Sequence, residues 1–97
     1  MELLKFENFR LIDRNKAGAR AYLKYGGGTA TAEYIFYLQA DQCLSIRLGR
    51  HDNLVGTAEH EAFIKQEQGR IRRIIQPEVS RVRQEARARI SGQNSSV

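Results

Sequence analysis

Apolar and polar residues alternate with a period of two through the first half of this chain, the signature of strands buried on one face. Ala19, Ala21, Leu23 and Tyr25 fall on one side, and Arg20, Tyr22 and Lys24 on the other. Further on, Ala32, Tyr34, Phe36 and Leu38 align, and after them Leu44, Ile46 and Leu48. A first strand is predicted from Leu3 to Ile12. Within it Leu4 and Phe6 share a parity that Phe9 and Leu11 break, which places a bulge near Glu7 and Asn8. Turn-forming residues separate the runs: Asn15-Lys16-Ala17-Gly18, Gly26-Gly27-Gly28 and Ala40-Asp41-Gln42. Connections this short join antiparallel neighbours, so the first half reads as a four-stranded antiparallel β-meander.

From Asp52 the period changes. Thr57 offers an N-cap, Glu59 and Glu61 suit the positive end of a helix dipole, and Ala62, Phe63 and Ile64 begin an apolar side. Gly69 weakens that helix, and Pro77 lacks an amide proton and crowds the carbonyl four residues earlier. Proline followed by Glu78 also suits the first turn of a new helix. The spacing therefore predicts a helix over 57–75 and another from Pro77 to Ser91. Yet Ile71, Ile75, Val79, Val82, Ala86 and Ile90 keep one helical phase across the proline, so a single kinked helix fits as well. The expected architecture is α+β: a four-stranded meander followed by one kinked or two C-terminal α-helices. Residues 1–91 form one domain, and 92–97, beginning at Gly92, read as a flexible tail.

A chain of 97 residues builds only a small core, and a second copy would add apolar burial. A homo-oligomer, most simply a dimer, is expected, with Ile71, Ile75, Val79, Val82 and Ala86 as its interface. No apolar run approaches the ~18 residues of a membrane span, and charges interrupt the opening MELLKFENFR, so neither a span nor a secretion signal is expected. Cys43 is the only cysteine, which excludes an intrachain disulfide and a thiolate zinc cluster and suits a reducing, cytoplasmic setting.

Charge changes the picture more than composition does. Residues 1–69 hold nine Lys or Arg and nine Asp or Glu, whereas residues 70–97 hold seven arginines against Glu78 and Glu85. The net charge of +5 therefore arises entirely in the second segment. On a continuous helix Arg72, Arg73, Arg83 and Arg87 lie about 100° to 200° from Ile71, opposite the apolar stripe. Arg81 and Arg89 can each meet Glu85 at four-residue spacing, which leaves the other four with fewer local acidic partners. Guanidinium groups stay charged and grip phosphate with two parallel hydrogen bonds, so Arg72, Arg73, Arg83 and Arg87 are the candidate nucleic-acid contacts, to DNA or RNA. Tyr22, Tyr25, Tyr34 and Tyr37 offer stacking surfaces for unpaired bases, although tyrosine is also favoured in strands for packing alone.

Other candidates carry less. The three glycines match neither phosphate-binding pattern and precede a strand, so they read as a hairpin turn. His51, next to Asp52, and His60, between two glutamates, match no ligand spacing and read as surface histidines. Cys43 reads as a small buried residue, and Asp41 and Asp52 as turn residues. No catalytic triad, metal set or cofactor motif emerges, and no enzymatic activity is expected. The sequence thus favours a small nucleic-acid-binding or regulatory protein that uses an Arg-rich C-terminal helix. The alternative is a homo-oligomeric protein-interaction module without a nucleic-acid role.

Overall fold

A computed structural model of the chain describes the backbone of residues 1–95 and the side-chain surroundings of residues 1–89. Four strands precede one helix: β1 (Glu2–Asp13), β2 (Lys16–Tyr25), β3 (Gly28–Gln39), β4 (Gln42–His51) and α1 (Thr57–Ser95). The strands form one antiparallel sheet in the order β1-β2-β3-β4, the meander that the alternation predicts. Each hairpin closes through two residues, so the strands run longer than the turn residues suggest: Lys16, Ala17 and Gly18 belong to β2, Gly28 to β3 and Gln42 to β4. Gly26, at φ 58°, supplies the left-handed residue of the second hairpin, and Ala40, at φ 54°, takes the same conformation in the third.

The bulge in β1 lies where the parity breaks. Asn8 has φ 55°, and the pairing slips between Glu7 opposite Arg20 and Arg10 opposite Gly18. This slip lets Phe6 and Phe9 reach the same face despite their odd spacing. The buried face is built by size complementarity across the register. Ala17 opposes Phe36, Ala19 opposes Tyr34 and Leu23 opposes Ala30, so a small side chain on one strand leaves room for a large one on the next. Phe6 lies edge-on to Tyr34 and Phe36 at 5.6 and 5.9 Å, and Phe9 stacks on Phe36 at 5.6 Å. Such pairs contribute about 0.5–1.5 kcal/mol each beyond their burial.

The second half departs from the two-helix alternative: α1 is one helix that runs through both Gly69 and Pro77. Pro77 cannot donate to the carbonyl of Arg73, but the stripe it interrupts is anchored on the sheet, and tertiary burial outweighs that local loss. Ile71, Ile75 and Val79 are fully or almost fully buried in the core with Phe63 and Ile64. The helix also continues beyond Gly92 to Ser95, where a stop was expected. Ser96 and Val97 and the side chain of Ile90 lie outside the described residues. The helix covers one face of the sheet, lying close to β4 and reaching β1, and leaves the opposite face open. Among the described residues no helix is long and apolar enough to cross a membrane.

Candidate nucleic-acid interface

The four candidate arginines do not project together. Arg72 turns toward the sheet, donating from Nη2 to the Leu44 carbonyl at 2.7 Å. Arg83 does likewise: its side chain is only 15% exposed, and its Nε lies 3.2 Å from Asp41 Oδ1. That contact is an ion pair by distance without the alignment of a hydrogen bond, since neither atom has a hydrogen-bond partner among the described residues. Arg87 stands 3.9 Å from the same oxygen but stays mostly exposed. Arg73 is exposed. Arg81 clamps Glu78 at 2.7 Å and Glu85 at 2.9 Å, the helical pairing that the spacing predicts for Glu85. The β3–β4 hairpin thus supplies, through Asp41 and the Leu44 carbonyl, partners that helical spacing could not reveal.

The stripe expected to join a second copy is already covered. Ile71, Ile75, Val79 and Val82 are buried within a single chain, and Ala86 is half-buried. A copy could reach the four buried side chains only after the helix left its own sheet.

A different surface gathers charge. On the open face of the sheet stand Lys5 and Arg10 from β1, Lys16, Arg20 and Lys24 from β2, and Arg47 and Arg50 from β4. The register places them there. Lys5 pairs with Tyr22, Arg10 with Gly18 and Arg47 with Ile35, all on the parity opposite the buried Ala17, Ala19, Ala21 and Leu23. A register shift between Ala32 and Tyr34 sets both Gly49 and Arg50 against Glu33, bringing Arg50 to the same side. Seven of the nine basic residues in the electrically neutral first segment therefore share one face, accompanied by four of its nine acidic residues, Glu2, Glu7, Asp13 and Glu33.

Two tyrosines stand within this array. Tyr22 donates its phenol proton to Glu7 at 2.9 Å while Lys5 Nζ lies over its ring at 4.9 Å. Lys5 and Glu7 are themselves 2.8 Å apart, and this contact, with the Tyr22 bond, holds the Glu7 carboxyl below its ordinary pKa. Tyr37 is exposed, with Lys16 Nζ at 5.4 Å from its ring centre. The other two tyrosines lie on the helix side. Tyr34 is wholly buried, with its phenol pKa raised by desolvation, and Tyr25 lies where Glu59 raises its phenol through hydrogen bonding and charge. Only Tyr22 and Tyr37 are placed to meet a ligand on the open face.

His60 overturns the surface reading, whereas His51 is half-buried. His60 is fully buried, and neither ring nitrogen has a partner among the described residues. Burial, with His51 beside it at 4.9 Å between ring centres, lowers its pKa. His51 Nδ1 meets the Asp52 carbonyl at 2.6 Å and its Nε2 meets the Thr57 hydroxyl at 2.8 Å, tying the end of β4 to the start of α1. Asp52 does behave as a turn residue: its carboxylate accepts from the Thr31 and Leu54 amides, and the Thr31 amide is the main reason its pKa falls. Cys43 is buried as expected, its thiol raised by desolvation and its Sγ 3.4 Å from the Ser45 carbonyl. Among the described residues no group of three or more His, Cys, Asp or Glu side chains is arranged to hold a metal ion.

The signal missed in the sequence was the parity opposite the apolar one. Arg20, Tyr22 and Lys24 alternate as cleanly as the core positions, and the same parity continues through neighbouring strands. Comparison with protein families, with curated proteins and with solved structures returns no match.

Proposed function

We propose that this protein binds single-stranded nucleic acid on the open face of its sheet. The observation that carries the reading is the convergence of seven basic side chains with Tyr22 and Tyr37 on a surface that the helix leaves uncovered. Basic groups track a phosphate backbone, and aromatic rings between them stack on unpaired bases without requiring a particular sequence. A four-stranded sheet is too broad for the major groove of a duplex, which admits a helix or a two-stranded ribbon. Single strands, DNA or RNA, fit this surface better.

The reading moves the contact from Arg72, Arg73, Arg83 and Arg87 to the far side of the sheet. Of those four, Arg73 and Arg87 remain open to solvent, and they contribute long-range attraction more than a seat. The homo-oligomeric alternative now draws on other residues: Leu4 and Ile12 on edge strand β1 and Leu44 on edge strand β4, each about half exposed.

Fluorescence anisotropy with labelled single-stranded DNA, single-stranded RNA and duplex DNA at two salt concentrations tests the proposal. Single strands are expected to bind at low salt and weaken as salt rises. No binding at low salt removes the reading, and preference for the duplex removes its single-stranded part. Light scattering on the free protein decides the alternative.

A further inference from the structure

One of the carboxylates on the open face, Glu33, stands where a phosphate would be expected. Glu33, near the middle of β3, sits between Arg10 and Arg20, with Oε2 3.4 Å from Arg10 Nη2 and Oε1 3.5 Å from Arg20 Nε. Its side chain is 28% exposed, less than either arginine at 41% and 55%. Two glycines help to make the seat. A methyl group on Gly49 would come 3.2 Å from Glu33 Cβ, and one on Gly18 would come 3.3 Å from Arg10 Nη1. Arg10 is held from the other side by the bulge, donating from Nη1 to the Asn8 carbonyl at 3.1 Å. Arg50 lines the same recess of about 420 Å³, as does Asp52, whose carboxylate is already held by the Thr31 and Leu54 amides.

The distances are the informative quantity. Charge-assisted N–H···O bonds close to about 2.7–2.9 Å when they are strong. At 3.4 and 3.5 Å, Glu33 neutralises its arginines without binding either tightly. A weakly held carboxylate among guanidinium groups is readily displaced by a better anion.

We infer that Glu33 is an internal competitor for a backbone phosphate, occupying the seat formed by Arg10, Arg20 and Arg50 and setting a threshold that a ligand must exceed. This rests on the sheet-face reading above. A lone phosphate gains too little there to displace the carboxylate. A single strand that also stacks on Tyr22 and Tyr37 gains enough, so Glu33 raises selectivity for single strands while lowering overall affinity.

The test compares the wild-type protein with Glu33→Gln, using labelled oligothymidine and labelled duplex DNA in anisotropy titrations across salt. Removing the carboxylate is expected to tighten binding by roughly two- to fivefold, the range of an exposed ion pair. The gain for duplex should exceed that for the single strand, so the preference between them narrows. Glu67→Gln makes the same change of net charge on the helix and is expected to gain less than half as much. Adding Glu33→Gln to Arg10→Gln/Arg20→Gln should yield less gain than in the wild-type background, because the groups it frees are gone. Circular dichroism checks that each variant is folded, and Glu33→Ala repeats the measurement if Glu33→Gln is not. If wild-type protein binds oligothymidine and Glu33→Gln binds no more tightly, the inference fails while the sheet-face reading stands. If neither protein binds any strand, both fall.

Discussion

The open face of the sheet and the stretch of helix from Arg70 to Arg89 carry equal numbers of basic side chains, seven each, and present them in opposite ways. On the sheet they are Lys5, Arg10, Lys16, Arg20, Lys24, Arg47 and Arg50; on the helix, Arg70, Arg72, Arg73, Arg81, Arg83, Arg87 and Arg89. Alternate residues of a strand point the same way and neighbouring strands lie about 4.8 Å apart, so a sheet face is a planar array. Successive helical residues diverge by ~100°, so a run of arginines radiates around a rod and only a fraction faces any one partner. Some of the helical ones turn back to the sheet at Leu44 and Asp41, while Arg81 is taken by Glu78 and Glu85. Density of charge along a chain is therefore a poor guide to density of charge on a surface.

If the helix serves mainly to roof the sheet, its buried stripe should govern folding. Ile71→Ala is expected to lower stability by about 2–5 kcal/mol, the range for deleting a buried isoleucine side chain beyond Cβ. Urea denaturation at two protein concentrations measures this. A loss independent of concentration fits a stripe packed within one chain, whereas a strongly concentration-dependent midpoint would return Ile71, Ile75, Val79, Val82 and Ala86 to an intermolecular role.

Equal damage to each surface separates their roles. Tyr37→Ala on the sheet should weaken binding of a single strand by about 1–3 kcal/mol, the usual cost of losing one stacking ring. Arg73→Gln combined with Arg87→Gln on the helix should change it by less than about 0.5 kcal/mol. Anisotropy at a fixed salt concentration reads both, and a larger loss from the helical pair would reverse the assignment.

Much of this architecture is legible in the sequence. Four strands, their antiparallel order and the bulge at Asn8 all follow from parity, because a half-buried sheet imposes a period of two that no other constraint blurs. The single helix was less legible. Gly69 and Pro77 carry strong local signals against continuity, and only the unbroken phase from Ile71 to Val82 argued for it. The open face was visible as a parity on each strand but not as a surface, since strand order and register decide which charges meet. His60 misled for a different reason: flanking Glu59 and Glu61 suggest solvent, yet both are exposed while the residue between them points into the core.

His60 also predicts how the junction between the two regions responds to acid. Its pKa lies below the ordinary 6.5 because burial disfavours the charged ring, with His51 adding repulsion against the weaker pull of Asp52 and Glu59. The unfolded chain therefore takes up a proton at higher pH than the folded one. The stabilising contribution is complete above about pH 6.5 and is lost as pH falls through the depressed folded value. Asp52, whose pKa is lowered from 3.8, adds its own loss only in more acidic solution. Urea midpoints measured between pH 8 and 5 should fall with acidification, and His60→Phe should flatten that fall. An unchanged slope in the variant would place the titrating group elsewhere.

The smallest expected effect separates the two surfaces most cleanly. Asp41 draws Arg83 and, at longer range, Arg87 toward the β3–β4 turn, and its carboxylate is half exposed. Asp41→Asn keeps a turn-compatible side chain and removes the charge, so stability should fall by less than about 1 kcal/mol, as for other solvent-screened pairs. Its effect on binding depends on which region meets the ligand. Should the helix hold the strand, freeing Arg83 and Arg87 would steepen the dependence of log affinity on log salt by about 0.7 for each phosphate newly contacted. With the open sheet face as the seat, the freed arginines stay on the wrong side of the sheet and the slope remains that of the wild-type protein.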